Sequence, residues 1–150
     1  MDKICFSLNE ILDEVKIRLS YISGKSAKEV EEYRRHAACC ADSHLLMSLV
    51  EESALWLAFK LRGSGIGVAI SSEVLEVSSQ LPHWSECSCT VSLINLFRYL
   101  VIDRIIYLWL LYSGLSDAPK WYEITESSFA ALADKLRIFS KLKPRATPPL

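Results

Sequence analysis

The chain has 150 residues, enough for one domain with a substantial core. Its content of 51% hydrophobic and 23% charged residues excludes a disordered polymer. A formal net charge of −1 leaves no basic surplus to hold a nucleic-acid backbone, so nucleic acid is not an expected partner.

The first helix is announced at Ser7 and Glu10, which have capping-box spacing. Phe6 and Ile11 stand where a hydrophobic staple would be. Leu8, Ile11, Leu12, Val15, Leu19 and Ile22 follow at three- and four-residue steps, and Gly24 is a natural stop. Ser26 and Glu29 repeat the capping spacing, but the stretch to Ala41 is charged and its apolar stripe is thin. It reads as a surface helix or a connection. Asp42 or Ser43 caps the next helix, whose buried face is Leu46, Leu49, Val50, Ala54, Leu57, Ala58 and Leu61, ending at Gly63.

Gly63, Gly65 and Gly67 form a break, and the β-rich run Val68, Ile70, Val74, Leu75 and Val77 predicts one or two short strands or a small hairpin. A loop with Pro82 and Trp84 leads to the longest apolar helix, from about Thr90 to Tyr112. Arg98, Asp103 and Arg104 interrupt it, and each charge costs roughly 2.5–3.5 kcal/mol at mid-membrane. A helix at the centre of a bundle is therefore expected, and not a membrane span. On a helical wheel Ser92, Asn95, Arg98 and Asp103 make one polar arc, and Arg104 lies opposite it. Arg104 is thus expected in a buried ion pair, with Glu51, Glu52, Glu126 or Asp134 as partner. Gly114 ends this helix, Ser116 caps the last one, and Tyr122, Phe129, Leu132, Ala133, Leu136 and Phe139 give its stripe up to Pro144. The expected architecture is mainly α: a bundle of four or five helices with a small β-hairpin or short strand insertion near residues 66–78. Residues 1–143 form one helical domain, and 144–150 an extended Pro-rich tail.

Five cysteines, Cys5, Cys39, Cys40, Cys87 and Cys89, make a poor disulfide framework and point to a reducing compartment. Met1-Asp2-Lys3-Ile4 does not begin a secretion signal. His36, Cys40 and His44 would share a helix face, and His83, Cys87 and Cys89 lie close in sequence, yet neither group has the spacing of a closed four-ligand zinc site. No nucleophile elbow is present. The alternating glycines precede a β-rich run, whereas a phosphate loop needs a following helix N-terminus. Glu31-Glu32 and Glu51-Glu52 point about 100° apart on a helix, as solvated carboxylates do. No enzyme activity, metal, cofactor or small-molecule substrate is expected. A mean hydropathy of +0.20 suggests that apolar surface is covered by other subunits. Trp84, Trp121 and Tyr122 are candidate interface anchors, and Lys141, Lys143 and Arg145 form a basic end suited to an anionic neighbour or to helix capping.

The second half carries a Pro–Trp loop, Leu81-Pro82-His83-Trp84. A long helix follows with Arg98-Tyr99-Leu100-Val101-Ile102-Asp103-Arg104, then an aromatic helix start at Lys120-Trp121-Tyr122 and a basic end, Lys141-Leu142-Lys143-Pro144-Arg145. Over roughly its last 75 residues the chain resembles small proteins encoded among the virion structural genes of phages and prophages of gut anaerobes. Head–tail connector and neck proteins of tailed phages are often helical domains of this size. The resemblance implies a non-enzymatic assembly subunit, located in the virion or the bacterial cytoplasm. It would work as a homo-oligomer or ring whose heterologous contacts close on rotation. It carries over no functional residue and does not extend to the Cys39-Cys40 segment. The alternative is a helical protein–protein interaction or regulatory module inside the cell.

Overall fold

The computed structural model describes residues 2–22, 43–79 and 90–142. Within them the chain runs β1 (Asp2–Ser7), α1 (Leu8–Ile22), α2 (Ser43–Lys60), β2 (Ile66–Ile70), β3 (Val74–Ser79), α3 (Thr90–Tyr112) and α4 (Ala118–Leu142). The molecule is mainly helical with a small antiparallel sheet, as the periodicities predict. The charged stretch from Ser26 to Ala41, the Trp84 loop and the tail from 144 lie outside the described residues.

The sheet order is β1-β3-β2. Val77 is the register partner of both Ile4 and Val68, and Leu75 of both Phe6 and Ile70. These residues share one face because side chains alternate along a strand. Leu75 and Val77 are fully buried there. The other face carries Lys3, Cys5 and Glu76, with Lys3 Nζ 3.9 Å from a Glu76 carboxylate oxygen. The β2–β3 hairpin is the expected one, whereas β1 is an addition to the expected architecture. Its signal is a short alternation, buried Phe6 and half-buried Ile4 against exposed Lys3 and Cys5. It runs directly into α1. The Glu10 amide donates to Ser7 Oγ at 3.5 Å, one arm of the capping box, and the Leu8 amide donates to the Glu73 carbonyl at 3.0 Å.

The long apolar helix α3 is the centre of the molecule, packed against α1, α2 and α4. Leu93, Phe97, Leu100, Ile102, Ile105, Ile106 and Leu110 are fully buried. A helix apolar on most sides has to be covered on most of them. Its end is a Schellman motif. Gly114 takes φ +69°, its amide donates to the Leu111 carbonyl, and the Leu115 amide reaches the Leu110 carbonyl at 3.0 Å while the Leu115 side chain is buried. The last helix starts after Asp117, whose carbonyl accepts from the Trp121 amide, one residue beyond the expected Ser116 cap. Pro119 sits in its first turn, where its missing N–H costs nothing.

Of the expected α2 face, Leu46, Leu49, Val50, Ala54, Leu57 and Leu61 are buried and Ala58 is half-buried. Gly63 follows it at φ +85°, and no atom lies within 4 Å of where a methyl group would sit, so backbone strain and not crowding governs that position. Gly63→Ala is expected to lower stability by about 1 kcal/mol, read from urea denaturation, with the helices intact by circular dichroism.

Candidate protein interface

Three features of the helical layer bear on function: a buried ion pair, an aromatic–cation seam, and an exposed apolar stripe. The ion pair is not at Arg104. Asp103, from the polar arc of α3, is only 6% exposed. It faces α1 and α4. Arg18 Nη1 donates to its Oδ1 at 3.2 Å, and Ser128 Oγ donates to its Oδ2 at 3.3 Å. Arg18 Nε also donates to Glu14 at 3.1 Å, and the guanidinium lies 5.1 Å from the Tyr99 ring centre. Burial pushes the Asp103 carboxyl above its ordinary value, against the opposing pull of Arg18 and the Ser128 hydrogen bond. At Asp103 the polar arc of the wheel is therefore a helix–helix contact, whereas Asn95 on the same arc is exposed. Periodicity marks Asp103 as polar but cannot tell a partner charge from water.

Arg104 lies on the opposite side, as the wheel requires, but it meets rings and not a carboxylate. Its guanidinium is 4.6 Å from the Trp56 ring centre and 5.0 Å from that of Tyr107. Among the described residues no ion pair reaches it, and its Nε is buried without a hydrogen-bond partner. The four expected partners are placed otherwise. Glu126 lies 3.9 Å from Lys60, Asp134 pairs with Arg137, Glu52 accepts from Tyr112, and Glu51 is exposed. The seam continues through Tyr107 edge-on to Tyr122 (5.5 Å) and Trp56 edge-on to Phe129 (5.9 Å), with Lys60 over the Phe129 ring. A desolvated cation–π contact is worth up to about 2 kcal/mol, so Arg104→Ala is expected to cost about 1–2 kcal/mol. Arg104→Met should cost less, because it keeps the stem packing and removes the unsatisfied Nε. Thermal melts of both variants check this. A loss above about 3 kcal/mol for Arg104→Ala would restore the buried-carboxylate reading.

The third feature is apolar surface. On α2, Leu45, Leu55 and Phe59 are 47%, 72% and 66% exposed. They lie on one face with Ser48 and Glu52, opposite the buried one. At the end of α3, Leu111 and Tyr112 are exposed too, and the Tyr112 hydroxyl donates to the Glu52 carboxylate at 2.8 Å. That hydrogen bond, and the negative charge behind it, raise the Tyr112 pKa above its usual value. A smaller patch on α1 holds Ile17 and Tyr21. The sequence singles out tryptophans and tyrosines as anchors. The three- and four-residue steps leave Leu55 and Phe59 off the buried face of α2, but nothing in them marks apolar residues interleaved with Glu51, Glu52 and Lys60 as a contact surface.

Of the expected interface residues, Tyr122 is exposed, Trp121 is half-buried against the core, and Lys141 falls within α4. Trp84, Lys143 and Arg145 lie outside the described residues. So do His36, Cys40, His83, Cys87 and Cys89, while His44 is exposed near the start of α2. Among the described residues no group of three metal-ligating side chains comes together, and no helix is long and apolar enough to cross a membrane. No protein-family model, curated protein or solved structure matches the chain.

Proposed function

We propose that the chain is a non-enzymatic assembly protein, a virion component of a phage or prophage such as a head–tail connector or neck subunit. The observation that carries the assembly role is the exposed apolar face of α2. Leu55 and Phe59 are too exposed to contribute much to the core, and a contiguous stripe of this kind typically meets another protein. The virion setting rests on the resemblance of the second half of the sequence. The mechanism is packing: a rigid bundle presents preformed helix faces to neighbouring chains, with the basic C-terminal end as a second contact. Self-association of the chain, as a homo-oligomer or ring, is part of this reading.

Mass spectrometry of purified particles released from cells carrying the gene tests the virion role. The chain should be present at a fixed stoichiometry to other virion proteins and should remain through density-gradient purification. Its absence from intact particles would overturn that role.

A further inference from the structure

The exposed face of α2 has an internal symmetry of charge. Glu52, Leu55, Phe59 and Arg62 follow one another at steps of three, four and three, an order of spacing that reads the same in both directions. At 100° per residue they share an arc of about 80°. All four are exposed. Arg62 lies in the turn just past α2, and the Leu61 and Arg62 amides donate back to the Leu57 and Phe59 carbonyls, which keeps that turn wound. Both charges are held in place: Glu52 by the Tyr112 hydroxyl, Arg62 by its position 5.3 Å from the Phe59 ring centre.

We infer that this stripe is a two-fold contact between two copies of the chain, packed with their α2 helices antiparallel. A two-fold axis crossing the helix at the level of Leu57 sets Leu55 of each copy against Phe59 of the other. The same axis sets Glu52 of each copy against Arg62 of the other. The apolar pair occupies the middle and the opposite charges close both ends, so a single stripe satisfies itself, as an isologous contact requires. A parallel pairing would set Glu52 against Glu52 and Arg62 against Arg62, which like-charge repulsion disfavours. The 18 residues of α2 span about 27 Å. One helix pair with its flanking side chains falls near or below the ~1,200 Å² low end of specific interfaces, so the contact is weak and concentration-dependent. The inference rests on the reading that the chain works by associating with other proteins, and it specifies one surface for self-association.

Charge reversal tests it by sedimentation velocity on the full chain. Glu52→Arg alone and Arg62→Glu alone each place like charges at both ends and should weaken dimerisation by at least about tenfold. The double variant E52R/R62E should recover it. An equimolar mixture of the two single variants should form a heterodimer more tightly than either variant pairs with itself. All substituted positions are exposed, and circular dichroism melts verify that each variant folds. If the parent chain associates while the single reversals leave its affinity unchanged, or while neither the double variant nor the mixture recovers it, the stripe is not the contact. The assembly role then stands on another surface. A parent chain that stays monomeric overturns the stripe as well, and the particle analysis then decides the assembly role separately.

Discussion

Arg18→Ala is expected to lower the unfolding free energy by about 3 kcal/mol at neutral pH. The variant strands the Asp103 carboxylate, whose side chain is 8% exposed, with Ser128 as its remaining partner. Breaking a buried pair from one side leaves a charge without compensation, and the partial exposure of Arg18 keeps the cost at the lower end of the usual range. The loss is expected to depend on pH. Burial already raises the folded-state pKa of Asp103 above its unfolded value of 3.8. The folded protein therefore holds that proton more tightly than the unfolded chain. The contribution of this group is most favourable below the unfolded pKa and is lost as pH rises through the folded one. Removing Arg18, which pulls the pKa down, raises it further. The destabilisation should accordingly be larger at pH 7 than at pH 4, because Asp103 takes up its proton as pH falls through its raised pKa. Asp103→Asn removes the buried charge while leaving Arg18 its contact with Glu14, so it should cost far less than Arg18→Ala and flatten the pH dependence. Urea denaturation of the three proteins at both pH values measures this. An equal loss for Arg18→Ala at pH 7 and pH 4 would show that packing, not charge, ties α1 to the bundle there.

The second large effect separates the two faces of α2. Leu57→Ala should destabilise by about 2–5 kcal/mol, because Leu57 is fully buried and its removal leaves a cavity. Leu55→Ala, the same chemical change two residues earlier, should stay within about 0.5 kcal/mol, since Leu55 is 72% exposed. Denaturation at a dilution where the chain is monomeric compares them on equal terms. Two similar losses would mean that Leu55 is buried within the monomer and that no apolar stripe faces outward.

Much of this fold is legible in the residues. The buried face of α2 follows from its three- and four-residue steps, and the centrality of α3 from a helix apolar on nearly every side. The end of α3 follows from Gly114, and the hairpin from the run after the glycines. What is not legible has identifiable reasons. The first strand offers only the brief alternation from Lys3 to Phe6, and Phe6 already has a role as a staple residue. Arg104 on an apolar side implies a carboxylate partner, yet an aromatic face also holds a guanidinium, and Trp56 and Tyr107 supply two. The pairing of Asp103 is not legible because a wheel shows which residues share a face but not which helices cover it. The role of the outward stripe of α2 is hidden in the same way: periodicity leaves Leu55 off the buried face, but it does not say whether that side chain meets water or a partner.

Association through a preformed protein surface is the central claim, and solution mass by light scattering over a wide concentration series tests it most directly. The expected result is the mass of one chain, 17.0 kDa, at high dilution, rising with concentration to a discrete multiple. A mass that stays at one chain throughout would contradict self-association.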